Sequence, residues 1–201
     1  MVKRAFDLFW SILGLMALSP LLALVALLVK LEDGGPVFFW QVRIGRGGRP
    51  FRIWKFRTMV ADAERQGRAI TVRQDPRITR IGRHLRNTKL DEFPQLLNVV
   101  AGEMSLVGPR PEVPRYVELY SETQRAILAL RPGITDLASI KYRNESDLLA
   151  ESENPDETYV QTLLPDKIRI NLAYASRAGV WSDFLVILAT LGLFPPERIH
   201  S

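Results

Sequence analysis

The sequence predicts an α+β chain, mainly helical, with an N-terminal membrane element and one small β-hairpin. Three observations carry that reading. Residues 8–29 hold no charge and nine leucines. Two apolar runs flank the loop Gly45-Arg46-Gly47-Gly48, as in a hairpin. Most of the remaining chain spaces its apolar residues at helical intervals and interrupts them with prolines.

Composition sets the outer bounds. A chain of 201 residues suits one domain of moderate size, and 47% hydrophobic content is enough for a real core. There is no cysteine, which excludes disulfides and thiolate metal sites, and two histidines make a His-rich zinc site a poor prospect. The net charge of +5 is unevenly spread: residues 43–89 carry fourteen Lys/Arg against three Asp/Glu, whereas residues 144–166 carry seven acids and no base. A basic half points to phosphate-bearing partners, whether nucleic acid, anionic lipid or a nucleotide.

At about 1.5 Å per residue the segment 8–29 is roughly 33 Å long, enough to cross a hydrocarbon core of about 30 Å. It is too long for a signal-peptide core and ends in Leu28-Val29-Lys30-Leu31-Glu32 with no small-residue cleavage site, so it is expected to be retained. Basic residues flank it on both sides: Lys3 and Arg4 before, Lys30, Arg43, Arg46 and Arg49 after. A straight spanning helix exports one of these sets, whereas a helix that bends back keeps both on the cytoplasmic side. Pro20 suits such a bend, since it cannot donate to Met16, and the Ser19 hydroxyl can bond back to the backbone. A kinked spanning helix and a returning hairpin both fit these residues.

Beyond Asp33-Gly34-Gly35-Pro36, residues 37–42 and 51–56 form the two strands, the second interleaving Phe51, Ile53 and Trp54 with Arg52, Lys55 and Arg57. Residues 59–67 read as a short helix, and arginine at every third position from Arg77 to Arg86 reads as a cationic helix face. Leu90, Phe93, Leu96, Leu97 and Val100 recur at helical spacing, and Pro94 confines the start of that helix to the vicinity of Leu90 or Asp91. Asp91 and Glu92 thereby become an acidic pair at a helix start within the most basic part of the chain, where neighbouring cations are expected to lower the Asp91 pKa. Pro109 and Pro111 stiffen the backbone around Arg110, which suits a fixed anion. Residues 112–130 read as one helix with Val113, Val117, Tyr120, Ile127 and Leu128 on its apolar side. Residues 158–178 read as helical with a disturbance at Pro165, and residues 180–194 as an apolar helix too short to span.

The order of motifs resembles that of the bacterial sugar transferase family, the monotopic phosphoglycosyl transferases, in its minimal catalytic form. The resemblance is carried by Ser19-Pro20, Lys55-Phe56-Arg57-Thr58-Met59, Asp75-Pro76-Arg77-Ile78-Thr79-Arg80-Ile81-Gly82, Leu90-Asp91-Glu92-Phe93-Pro94-Gln95-Leu96, Gly108-Pro109-Arg110-Pro111 and Arg131-Pro132-Gly133-Ile134-Thr135. It implies an N-terminal re-entrant helix–break–helix over residues 1–32, broken at Ser19-Pro20, and a cytoplasmic, membrane-associated catalytic domain over 33–201 with surface helices at the membrane interface. The implied reaction moves a sugar-1-phosphate from a UDP-sugar to polyprenyl phosphate and releases UMP, on the cytoplasmic face of a bacterial inner membrane. By the same resemblance Asp91 is the nucleophile, Mg²⁺ assists at Asp91, and Glu92 activates the polyprenyl phosphate. The cations in and near these motifs, Lys55, Arg57, Arg77, Arg86, Arg110, Arg131 and Arg143, are the expected substrate contacts. Membrane lipid and a second copy in a homodimer are further expected partners; nucleic acid is not. The chain departs from the family pattern at Asp136 and Ser139, at Lys141-Tyr142 and at Lys89. The competing reading, a non-enzymatic membrane-surface protein that binds anionic lipid or nucleic acid, explains the basic half but leaves Asp91-Glu92 without a role.

Overall fold

The computed structural model of the chain describes residues 2–60, 62, 63 and 75–199. The apolar N-terminus is one helix, α1 (Val2–Asp33), continuous through Pro20. The carbonyl of Met16, which Pro20 cannot serve, accepts the Ser19 hydroxyl at 2.9 Å. The expected interruption is therefore a single missing donor that the adjacent serine replaces.

Along α1 one stripe faces the protein. Arg4, Asp7, Ser11, Gly14, Leu18, Leu22, Val25, Val29 and Glu32 recur at intervals of three or four and are buried or half-buried from one end to the other. The remaining faces leave Phe9, Ile12, Leu13, Met16, Leu24 and Leu27 exposed. Near the start of α1, Arg4 donates to the carbonyls of Val99 and Val100 at 2.6 and 3.0 Å. Lys3 donates to the carbonyl of Val107 at 3.1 Å and pairs with Asp183. Asp7, fully buried, accepts from the Ser105 hydroxyl at 2.8 Å and the Leu106 amide at 3.2 Å. At the far end Asp33 pairs with Arg57, and Glu32 accepts from the Ile81 amide at 3.1 Å. Both ends of the apolar helix are thus tied to the same globular body.

Strands β1 (Phe38–Ile44) and β2 (Pro50–Phe56) form the expected antiparallel hairpin, with Trp40 opposite Trp54 and Val42 opposite Arg52. Its loop is a 3-10 turn with Gly47 and Gly48 at positive φ. The free edge of β2 is covered by a side chain: Asn98 accepts from the Trp54 amide at 3.1 Å and donates to the Arg52 carbonyl at 2.7 Å. Helix α2 (Arg80–Thr88) is capped by Thr79, whose hydroxyl accepts from the Gly82 amide at 2.9 Å. A Cβ on Gly82 would lie 2.1 Å from the Thr58 carbonyl oxygen, so only glycine lets α2 close onto the strand end.

A 3-10 turn over Leu90–Glu92 leads through Phe93-Pro94 into α3 (Gln95–Ala101). Strand β3 (Ser105–Val107) then pairs in parallel with β4 (Gly133–Thr135). Gly108 and Gly133 cross so closely that a Cβ on Gly133 would meet the Gly108 nitrogen at 2.1 Å, which clamps Pro109-Arg110-Pro111 beside Arg131-Pro132. The single helix expected over 112–130 is instead α4 (Pro114–Glu118) followed by a 3-10 segment, Gln124–Ala129. The chain reverses at Ser121, whose amide donates to the Gln124 side chain at 2.9 Å. The reversal returns Ile127 to the apolar cluster of Tyr116, Val117 and Tyr120, whereas a straight helix carries it roughly 16 Å past Tyr116.

Short helices α5 (Leu137–Lys141) and α6 (Glu145–Ala150) follow. Then α7 (Pro155–Thr158), a π turn (Tyr159–Leu163) and α8 (Leu164–Ala175) make one helical course. The widened turn falls directly before Pro165, where the hydrogen-bond ladder lacks a donor. Helix α9 (Val180–Thr190) is, as expected, too short to span, and its buried Asp183 faces Lys3 and Tyr174. The helix expected over 59–67 lies largely outside the described residues. Val25 and Val29 of α1 share a core with Phe56 and Leu85, while Phe6 and Leu15 pack against the main cluster of Val99, Met104 and Val186.

Gly82→Ala should cost about 1–3 kcal/mol through forced displacement of the Thr58 backbone. Chemical or thermal denaturation of the variant checks this, and an unchanged transition would contradict the close contact.

Candidate active site

At the end of α2 the backbone turns sharply. Lys89 closes that helix at φ 59°, the only non-glycine positive φ among the described residues. The left-handed turn costs roughly 1 kcal/mol and starts the 3-10 turn that sends Asp91 inward. Asp91 is buried at 7% exposure, and its Oδ1 has no hydrogen-bond partner among the described residues. Its neighbour is treated oppositely. Glu92 accepts from Lys55 Nζ at 2.8 Å and from Arg110 Nη2 and Nη1 at 2.6 and 3.3 Å. Lys55 reaches it from the inward face of β2, and Arg110 from the clamped Gly108–Pro111 segment.

The two carboxyls consequently titrate apart. Burial opposes ionisation of Glu92, but the charges of Arg110 and Lys55 and their hydrogen bonds outweigh it and hold Glu92 well below the usual carboxylate range. For Asp91 the balance reverses the sequence expectation. Burial raises its pKa, the Glu92 charge adds to the rise, and the opposing pull of Lys55, Arg86 and Lys89 does not compensate. The expected lowering is overridden chiefly by burial, which the pull of Lys55, Arg86 and Lys89 does not offset. Lys55 is lowered by burial against the attraction of Glu92, and Arg110 is raised by it.

The structure brings Asp91, Glu92, Lys55 and Arg110 together and sets Arg86 at the margin, its Nε donating to Thr58 Oγ1 at 2.8 Å. Arg77 is held by Asp75 through Nε at 2.8 Å and Nη2 at 2.5 Å, within electrostatic range of Arg86. Three expected contacts lie elsewhere. Arg57 is buried, forked onto Asp33 at the end of α1. Arg143 donates to the Thr190 carbonyl at 2.9 Å and lines a groove with Ile140 and Phe194. Arg131 is half-buried ahead of β4 with no side-chain partner among the described residues. Ser19 and Pro20 lie exposed on α1.

Two residues outside the expected set join the site. Arg43 donates to Gln41 Oε1 and the Pro111 carbonyl, within electrostatic range of Arg110 and Glu92. The alternation of β1 and β2, which puts Arg43 and Lys55 on one face, was the available signal. Gln95, one helical turn beyond Asp91, is 1% exposed with its Nε2 unpartnered. Of the four buried polar atoms without a partner among the described residues, Asp91 Oδ1 and Gln95 Nε2 come from neighbouring turns, while Ser11 Oγ and Arg57 Nε belong to other parts of the chain. The departures after Gly133 are absorbed internally. Asp136 accepts from the Ser139 amide at 2.9 Å and its hydroxyl at 2.7 Å, so the two changes form one helix cap. Lys141 and Tyr142 both donate to Asp166.

A buried carboxylate next to a second carboxylate that fixes two cations is an arrangement with the chemistry to meet a phosphate-bearing electrophile. The chain belongs to the bacterial sugar transferase family, whose model matches residues 1–194. It is 41% identical over 196 residues to the undecaprenyl-phosphate glucose phosphotransferase of Komagataeibacter xylinus, covering 94% of this chain and 35% of that protein. It is 36% identical to the UDP-glucose:undecaprenyl-phosphate glucose-1-phosphate transferase of Escherichia coli (strain K12), covering 95% of this chain and 39% of that one. It is 39% identical to the exopolysaccharide production protein PSS of Rhizobium leguminosarum bv. phaseoli, with 94% and 93% covered. The chain therefore spans little more than a third of the first two relatives and almost all of the third.

Substitutions at the two carboxyls should move stability in opposite directions. Asp91, raised in the fold, contributes stability only below its unfolded pKa, and that contribution is lost as pH rises through the folded value. Asp91→Asn should therefore stabilise the protein at pH 7 by about 1 kcal/mol, or roughly 2–4 °C, with the gain vanishing in acid. Glu92, depressed in the fold, contributes stability above its unfolded pKa that is lost as pH falls through the folded value. Glu92→Gln should cost about 3 kcal/mol at pH 7 by leaving Lys55 and Arg110 uncompensated. Melting curves at several pH values check both signs.

Proposed function

We propose that this protein transfers a sugar-1-phosphate from a UDP-sugar to undecaprenyl phosphate, releasing UMP, as the first membrane step of glycoconjugate synthesis. The observation that carries the reading is Asp91 Oδ1: a buried carboxylate oxygen, unpartnered among the described residues, within electrostatic range of Lys55 and next to the Glu92 that Lys55 and Arg110 hold. The printed activities of the Komagataeibacter and Escherichia relatives support the same substrates.

In the first half-reaction the Asp91 carboxylate attacks the sugar-bearing phosphorus. An Asp91–phosphorus bond forms, the bridging phosphoanhydride bond breaks, and UMP leaves with the bridging oxygen and its electron pair. In the second, an oxygen of undecaprenyl phosphate attacks the same phosphorus and displaces Asp91, which returns to carboxylate. Each step exchanges one activated phosphate linkage for another, so positioning and charge stabilisation supply most of the catalysis. Lys55 and Arg110 are placed to neutralise non-bridging oxygens, and the Gln95 amide to donate to one of them. A phosphate monoester is mostly dianionic at pH 7, its second pKa being about 6. The acceptor thus needs little help to lose a proton, and a carboxylate as acidic as Glu92 is a poor base. We therefore assign Glu92 as a positioning residue that holds Lys55 and Arg110 side by side, in place of the activating role expected from the resemblance.

Among the described residues no three His, Cys, Asp or Glu side chains converge on one point. That suits Mg²⁺, which commonly binds through one or two carboxylates together with substrate phosphates, and the free Oδ1 of Asp91 fits such a ligand. Bound there, Mg²⁺ would offset the charge of the diphosphate.

The topology reading is a re-entrant, monotopic helix on the cytoplasmic face of a bacterial inner membrane. It is supported by α1 being apolar enough to enter a bilayer while both its ends are held on one body. Ends tied to one body support the reading that both lie on the same side of the membrane.

Purified protein given UDP-sugars, Mg²⁺ and undecaprenyl phosphate should release UMP in step with lipid-linked product. EDTA should stop turnover and added Mg²⁺ restore it. Asp91→Asn should lower the rate by about 10³-fold or more. Absence of UMP with every sugar, or near-normal activity of Asp91→Asn, would contradict the reading.

A further inference from the structure

The β1–β2 hairpin has two unlike faces, and only one has been used so far. Inward-pointing positions carry Gln41 and Arg43 on β1 and Ile53 and Lys55 on β2, which serve the site and the core. Outward-pointing positions carry Phe38, Trp40 and Val42 on β1, with Arg52 and Trp54 on β2. Four of those five are large apolar side chains left open to solvent; Trp40 is 47% and Trp54 37% exposed. A contiguous patch of this kind marks an interaction surface more often than a wet one.

What covers the patch follows from its charge and its neighbours. Residues 37–60 contain Arg43, Arg46, Arg49, Arg52, Lys55 and Arg57 and not one acid. Arg52 lies over the Trp40 ring, 4.1 Å from its centroid, in the arrangement of an arginine whose head reaches out past an aromatic surface. Two copies of so basic a face repel each other, whereas lipid phosphates attract it. The patch also continues α1: Phe38 stacks on Phe56 at 5.3 Å, and Phe56 is buried against Val25 and Val29 of that helix. Tryptophan is the residue enriched where hydrocarbon meets headgroups.

We propose that the outer face of the β1–β2 hairpin docks on the lipid surface as a second membrane contact beside α1. The proposal rests on the membrane-enzyme reading above and adds to it a structural ruler. Successive side chains of a strand point to opposite faces, so Trp54 in the lipid interface fixes Lys55 one sheet-thickness behind it. The cation that faces Glu92 is thereby held at the depth where a lipid phosphate lies.

The four tryptophans, Trp10, Trp40, Trp54 and Trp181, allow a direct test on the full chain. The variant Trp10→Phe/Trp181→Phe keeps only the hairpin pair, and Trp40→Phe/Trp54→Phe/Trp181→Phe keeps only Trp10 on α1. Each is placed in nanodiscs of phosphatidylcholine and phosphatidylglycerol whose acyl chains are brominated just below the headgroup, and its emission is compared with that in unbrominated discs. The hairpin pair should be quenched as strongly as Trp10. Quenching of Trp10 without quenching of the hairpin pair would overturn the docking face and leave the membrane reading intact. If that result came with a dimer by mass, a second copy would be the occupant. Quenching of neither would remove the membrane reading and the proposal with it.

Discussion

The site depends on one interaction, the capture of Glu92 by Lys55 and Arg110. Three elements distant in sequence meet there: the end of the hairpin, the 3-10 turn before α3, and the segment clamped by Gly108 and Gly133. Each cation alone would be poorly solvated at its position, and the shared carboxylate is what makes both tenable. Glu92 takes the hydrogen bonds of these two cations, and Asp91 Oδ1 has no hydrogen-bond partner among the described residues. The proposed nucleophile role suits that condition: a carboxylate wrapped in hydrogen bonds is stable but unreactive, and one left buried and free is reactive at the expense of stability.

The adjacency of the two acids is therefore a division of labour set by geometry. Neighbouring residues in a 3-10 turn point about 120° apart, so Glu92 can face the cations while Asp91 points elsewhere. Lys89 in the left-handed region and Pro94 at the entry to α3 hold that orientation from either side. Arg57, from the same Lys55–Met59 motif, is diverted to the other end of the problem: its fork on Asp33 ties the end of α1 to the strand that carries Lys55. The apolar helix α1 and the site are in this way linked through three consecutive residues, Lys55 to Arg57.

Periodic features were legible in the sequence, and features set by competition were not. The hairpin, its inward and outward faces, α2, the short α9 and the role of the Ser19 hydroxyl all follow from local chemistry. The break of residues 112–130 into two pieces was hidden because helical spacing persists across Ser121; the shared cluster with Tyr159 and Ile168, far along the chain, decides the reversal. Arg57 and Lys55 look alike in sequence, and only the approach of Asp33 separates a structural cation from a site cation. The direction of the Asp91 shift depended on how deeply the packed chain buries that carboxyl, which no spacing rule contains. Gln95 lies within the Leu90–Leu96 motif, but the lack of a partner for its amide among the described residues is a property of the packed state alone.

The central claim is that Asp91, and not Glu92, carries the transferred group. The most direct measurement mixes the protein with UDP-sugar and Mg²⁺ in the absence of undecaprenyl phosphate, quenches in acid, and locates the adduct by peptide mass spectrometry. The account predicts a mass increase of one sugar phosphate on Asp91, present in Glu92→Gln and absent in Asp91→Asn. An adduct on Glu92, or one that persists in Asp91→Asn, would contradict it.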